Sequence, residues 1–96
     1  MPAADGADTV ERSMRASFTG EAAENALDAA LAAIGQATPE GATLSAERAD
    51  GADGPGLAVA FRSAEPNCAK QALAAALQAC AWAATEHGAS VRMRAD

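Results

Sequence analysis

Two hydrophobic periodicities alternate along the chain, and their order constrains the fold more than any other feature. Four short segments repeat apolar residues at every second position, as half-buried β-strands do. Two longer segments repeat them at every third or fourth position, as amphipathic helices do. The six segments follow one another as strand, helix, strand, strand, helix, strand. A chain of 96 residues is long enough for one small domain built from them.

The four predicted strands divide their side chains between the two faces of a sheet. The first strand is TVERSMRASF and the last is SVRMRA. Between them, TLSAERAD and LAVAFRS are joined by the glycine-rich GADGPG, which predicts a hairpin. The apolar residues predicted to face inward are Val10, Met14, Ala16, Phe18, Leu44, Ala46, Leu57, Val59, Phe61, Val91 and Met93.

The two predicted helices have recognisable ends. We expect Thr19 to cap the start of the first helix and Gly35 to close it. The second helix is predicted from Pro66, which suits a first helical turn, to His87, which precedes the glycine stop Gly88. The residues expected to face inward are Ala23, Leu27, Ala30, Leu31 and Ile34 on the first helix, and Leu73, Leu77, Cys80, Ala84 and His87 on the second.

This order of elements is that of the ferredoxin-like arrangement. It predicts an α+β sandwich of β-α-β-β-α-β order, with a four-stranded antiparallel sheet and both helices on one face. The first and third strands would lie at the centre of the sheet. We expect a single domain over residues 9–96, preceded by a disordered tail over residues 1–8. The fold by itself leaves the function open, because many functions share it.

Charge and composition exclude several functional classes. The formal net charge of -6 argues against nucleic-acid binding and against docking on anionic membranes. The start of the chain lacks a signal peptide and no apolar run is long enough for a membrane span, so we expect a small acidic cytoplasmic protein. Half of the residues are hydrophobic, but most of these are alanine, and the core is therefore thin. Self-association would add burial, and a homodimer is the expected assembly.

Trp82, the single tryptophan, is predicted on the side of the second helix away from its leucines. Ala75, Gln78 and Ala79 share that side, so we expect these four residues to bind a partner. The first helix carries a comparable outward stripe of alanines, at positions 22, 26, 29 and 33. A second interpretation stays open, in which the helix is rotated, Trp82 covers a sheet edge and the alanines reflect codon bias.

The outward face of the sheet is predicted to carry four arginines, Arg15, Arg62, Arg92 and Arg94. Guanidinium groups on one face could bind a small anionic ligand. The alternatives are a solvated surface or packing against a second subunit. Recognition of RNA by such a sheet needs outward aromatic side chains, and the sequence places none there.

Cys68 carries the alternative, enzymatic hypothesis. It lies near the predicted start of the second helix, where the helix dipole and Lys70 would favour a thiolate. A base is missing, because His87 lies about 28 Å away along the same helix. Cys80 is expected to be a buried apolar residue.

The sequence therefore favours a non-enzymatic interaction or ligand-binding module that self-associates, as an accessory or regulatory subunit. The alternative is a thiol-dependent enzyme or redox protein that uses Cys68. No catalytic residue beyond that cysteine is predicted. With one histidine and no CxxC motif, neither a metal site nor a cofactor is expected.

Overall fold

The chain folds in the order predicted from its two periodicities. A computed structural model describes residues 9–52 and 54–95, so the predicted tail over residues 1–8 lies outside the described part. The elements are β1 (Val10–Thr19), α1 (Ala23–Ala37), β2 (Ala42–Arg48), β3 (Gly56–Ser63), α2 (Pro66–His87) and β4 (Ser90–Ala95).

The strands form one antiparallel sheet in the order β2-β3-β1-β4, and this confirms the ferredoxin-like arrangement. β1 and β3 are central, with Met14 opposite Val59. β4 pairs with the second half of β1, where Ala16 lies opposite Met93. Every strand pair is antiparallel, so alternate residues of all four strands share a face.

The core lies between the two central strands and the two helices. The inward residues of β1 and β3 provide most of its bulk, as the alternation predicted. Because β1 and β3 are flanked by strands on both sides and covered by helices, their apolar side chains lose nearly all contact with water. The largest fully buried side chains are Phe18, Phe61, Met14, Leu27, Ile34, Leu57, Val59 and Cys80.

The core face of α2 is rotated from the one predicted, although Cys80 and Ala84 are buried as expected. Leu73 and Leu77 are half-buried at the margin of the core, and His87 is exposed. Small side chains let two helix backbones approach closely, and α1 packs more extensively on α2 than on the sheet. The buried residues of α2 are Ala69, Ala72, Ala76, Ala79, Cys80, Ala83 and Ala84.

The alanine stripe of α1 is also used inside the monomer. Ala26 is fully buried, and Ala29 and Ala33 pack against the core, although all three were predicted to face outward. These alanines are therefore packed within the monomer. They do not form the outward stripes expected from the sequence.

The ends of α1 also differ from prediction. Thr19 is the last residue of β1, and a turn at Gly20, with φ of 109°, separates it from the helix. The helix begins at Ala23 without a side-chain cap. Gly35 lies within the last turn, and Thr38 follows the helix, donating a hydrogen bond from Oγ1 to the carbonyl oxygen of Ile34 at 2.8 Å.

The edge strands are less covered than predicted. Ala46 on β2 and Met93 on β4 are exposed, although both lie on the helix side of the sheet. Leu44 and Val91 on the same side are half-buried. The helices contact the two central strands more extensively than the two edge strands, and these side chains therefore stay open to water.

Candidate functional site: two uncovered surfaces

Trp82 lies on the outer side of the helix layer, and 51% of its surface is exposed. Gln78, one turn earlier, is also exposed, and Ala75 is half-buried. Ala79 is only 8% exposed and belongs to the core, so it is removed from the predicted partner-binding set. The helix is rotated relative to the prediction, yet the indole still faces water.

The second uncovered surface is the side of the sheet away from the helices, which we call the open face. Its central positions carry serine and alanine, so the middle of the face is shallow. A cavity of about 260 Å³ lies over this middle and includes Ser13, Ala58 and Ala60 in its lining. The open face comprises Glu11, Ser13, Arg15, Ser17, Thr19, Thr43, Ser45, Glu47, Ala58, Ala60, Arg62, Ser90, Arg92 and Arg94.

Three of the four predicted arginines cluster at one side of the open face. Arg15 lies directly opposite Arg94, and Arg92 lies diagonally from Arg15 because its own partner is Ser17. Like charges in direct cross-strand positions destabilise a sheet. Within residues 9–52 and 54–95, no carboxylate forms an ion pair with any of these three.

The fourth arginine is separated from this cluster. Arg62 lies opposite Glu11 at the other end of the face, and its Nε is 3.4 Å from the Glu11 carboxylate. The structure thus divides the predicted four-arginine site into a group of three without a counter-charge among the described residues and one paired arginine.

A further ion-pair network, centred on Arg48, was not anticipated from the sequence. Arg48 donates from Nη1 to Oε1 of Glu24 at 2.8 Å, from Nη2 to Oε2 of Glu24, and from Nε to Oδ1 of Asp50 at 2.8 Å. These hydrogen bonds lower the pKa of Glu24 and of Asp50 below their usual values. The network joins the first turn of α1 to the end of β2, and no local sequence pattern signals a contact over that separation.

Cys68 is near the start of α2, as predicted, and is half-buried. Its Sγ donates a hydrogen bond to the carbonyl oxygen of Glu40 at 3.2 Å. His87 is at the opposite end of the same helix, about 28 Å away, so the structure does not bring a histidine base to this thiol. The thiol of Cys80 is enclosed in the core, and burial raises its pKa to about 11.

Residues 9–52 and 54–95, which the structure describes, contain neither a metal-binding cluster nor a helix that could span a membrane. No group of three or more histidine, cysteine, aspartate or glutamate residues there is arranged to hold a metal ion. No helix there has the length and apolar character needed to cross a membrane.

Comparison with known proteins identifies the fold and no family. No protein-family model matches the sequence, and no curated protein matches it significantly. Among solved structures, the C-terminal segment of the alpha subunit of aIF2 from Pyrococcus abyssi is similar, with a TM-score of 0.71, 12% identity, and 92% of this chain and 51% of that chain covered.

Two further similar structures are an enzyme and a designed protein. An amidase of the hydantoinase/carbamoylase family from Burkholderia multivorans gives a TM-score of 0.67 at 16% identity, covering 92% of this chain and 27% of that chain. The de novo designed protein Foldit4 gives 0.59 at 11% identity, covering 92% and 96%. The chain thus spans 51% of the first of these chains and 27% of the second, and at such identities the likeness shows the fold alone.

Proposed function

We propose that this chain is a small non-enzymatic interaction module that associates with a second copy of itself through the open face. The observation that carries the proposal is the cluster of Arg15, Arg92 and Arg94, which lacks a carboxylate partner in the described part of an otherwise acidic protein. Neighbouring guanidinium groups repel one another, and an acidic group supplied from outside relieves that repulsion.

Burial also favours association. The buried residues of α2 are mostly alanines, and alanine contributes little transfer free energy compared with leucine or phenylalanine. Packing a second sheet against the open face would remove the small side chains of the central strands from water. Two sheets packed face to face are a common way to complete such a layer.

Trp82 marks a second surface, on the opposite side of the molecule. We propose that Trp82, with Ala75 and Gln78, binds a partner protein through an apolar patch of that protein. A tryptophan that enters an interface commonly contributes about 2 kcal/mol or more when truncation to alanine is measured. The exposed indole would then be covered in the complex with the partner.

Dilution of the purified full-length chain tests self-association. Sedimentation velocity from about 1 mM to about 1 μM should show a reversible change between dimer and monomer. Added salt should shift the change toward monomer, because exposed charges are screened. A monomer throughout this range would contradict the proposal.

The single indole shows which surface is used. Trp82 fluorescence and its quenching by acrylamide should be the same in the monomer and in the dimer, because the open face lies on the other side of the sheet. Protection of Trp82 in the dimer would move the contact to the helix layer.

The partner surface needs a matched pair of variants. Trp82→Ala and Gln71→Ala both truncate exposed residues of α2. Used as baits in cells that express the protein, the wild type and Gln71→Ala should retain a protein that Trp82→Ala loses. Equal retention by all three would contradict the role of Trp82.

A further inference from the structure

The open face is electrically polarised across its strands. Glu47 is the acidic residue of one edge strand, β2, while Arg92 and Arg94 lie on the other edge strand, β4. The pairing registers place Glu47, Ala58, Arg15 and Arg94 side by side in one row that crosses all four strands. Read across the sheet, this row is acidic, small, basic, basic.

We propose that two copies pack their open faces together around a two-fold axis parallel to the strands, so that Glu47 of each copy meets Arg94 of the other. This inference rests on the self-association proposed above and identifies its surface and its pairing. The rotation reverses the strand order, so β2 lies over β4 of the second copy and β3 lies over β1. The interface is isologous, and each contact occurs twice.

The same rotation matches the other positions of the row. Arg15 of one copy lies over Ala58 of the other, where a methyl group leaves room for a guanidinium. The two copies of Glu47 thereby supply the carboxylates that Arg15 and Arg94 lack within the described chain.

Other rows are also complementary. Arg62 lies over Glu11 of the second copy, so the pair already present in each chain becomes part of a four-membered network across the axis. Ala60 lies over Ser13, and the centre of the interface is made of small side chains that allow two sheets to approach to about 10 Å.

The charges select this axis over the other two-fold arrangement of facing sheets. A two-fold axis perpendicular to the strands would place each strand over its own copy. β4, with Arg92 and Arg94, would then lie along β4 of the second copy, and β2, with Glu47, along β2, so the basic edge strand would not meet the acidic one. Like charges juxtaposed in an interface are costly.

The area indicates a weak dimer. Four strands span about 19 Å and seven residues along them span about 23 Å, which places the contact near the lower limit of specific interfaces. Association should therefore be reversible and sensitive to salt, since its charge pairs lie near the rim.

A charge exchange between two variants tests the pairing. Glu47→Arg places an arginine opposite Arg94 of the second copy, and Arg94→Glu places a glutamate opposite Glu47. Each variant by itself should dimerise about tenfold more weakly or worse in sedimentation experiments. An equimolar mixture should regain wild-type association, because each mixed dimer contains two opposite-charge pairs.

Recovery of dimerisation in the mixture of the two variants cannot come from a contact between positions 47 and 94 of one chain. Glu47 and Arg94 lie on opposite edges of the sheet, three strand spacings or about 14 Å apart. The control variants Glu86→Arg and Lys70→Glu make the same changes in net charge on the exposed surface of α2. They should leave dimerisation within about twofold of the wild type.

Three outcomes would overturn the inference. A wild type that is monomeric at every concentration removes self-association and the pairing together. A wild-type dimer that neither Glu47→Arg nor Arg94→Glu weakens keeps self-association and removes this surface. Two weakened variants that stay monomeric when mixed remove the Glu47–Arg94 pairing.

Discussion

The two faces of the sheet are built from alternate residues of the same strands, yet they are specified in different ways. On the covered face, Phe18, Val59 and Phe61 are buried under the helices, and any apolar side chain of suitable size would serve there. On the open face, the side chains are small or charged, and what distinguishes them is which strand carries which charge. Periodicity along the chain defines the first face, whereas placement across strands defines the second.

The largest effect on stability should come from truncating the covered face. Phe61→Ala removes a fully buried ring from a central strand and should lower the free energy of unfolding by about 3–5 kcal/mol. The matched variant Ala60→Ser, on the open face of the same strand, should change it by less than about 0.5 kcal/mol. Denaturant unfolding monitored by circular dichroism measures both, and similar losses would contradict the assignment of the two faces.

The alanine and leucine positions of α2 provide a second comparison, with smaller expected effects on stability. Ala76 is 1% exposed, so Ala76→Leu adds bulk in a packed region and should destabilise the domain by about 1–3 kcal/mol. Leu73 is half-buried at the margin of the core. Leu73→Ala should therefore lower the free energy of unfolding by less than is usual for a fully buried leucine, which is about 2–5 kcal/mol. If Leu73→Ala lost as much stability as a fully buried leucine does and Ala76→Leu lost none, the leucine face predicted from the sequence would be the buried one.

Trp82 should contribute less to the stability of the isolated domain than a fully buried aromatic residue. Because about half of its surface is exposed, Trp82→Ala should lower the free energy of unfolding by roughly half of the loss expected for a buried ring, which is about 3–5 kcal/mol. The measurement is the same denaturant titration, followed by circular dichroism because the variant lacks a fluorophore. A loss like that of Phe61→Ala would assign Trp82 to the core.

The smallest expected effect is the pH dependence of the Arg48 network. The pKa values of Glu24 and Asp50 are lowered in the folded state, so their contribution is present above their unfolded pKa values and is lost as pH falls through the folded ones. Glu24→Gln should therefore flatten the decline of thermal stability on acidification. An unchanged slope would show that this exposed network adds nothing measurable.

The sequence predicted the elements, their order and the central strands, because alternation and helical spacing report on burial directly. It also predicted that Trp82 faces outward. It was wrong about Leu73, Leu77 and His87 on α2, because the rule that leucine lies inside ignores that small alanine side chains can form the buried face of a helix. The helix start was misplaced because Thr19 has the chemistry of a cap but continues β1.

The arrangement of the candidate site depends on how the strands pair, which no single segment of the sequence specifies. The four arginines were each correctly placed on the open face, but their division into a cluster and a pair follows from the strand register. That register puts Arg15 opposite Arg94 and leaves Arg62 with Glu11. The contact of Arg48 with Glu24 arises only when α1 and the end of β2 meet in the folded chain.

The central claim is that the open face binds its own copy by matching Glu47 with Arg94. It is tested most directly by sedimentation of Glu47→Arg and Arg94→Glu mixed in varied proportions at constant total concentration. The account predicts that the dimer fraction rises to a maximum at equal amounts and falls toward either pure variant. A dimer fraction that is flat or changes in one direction across the series would contradict it.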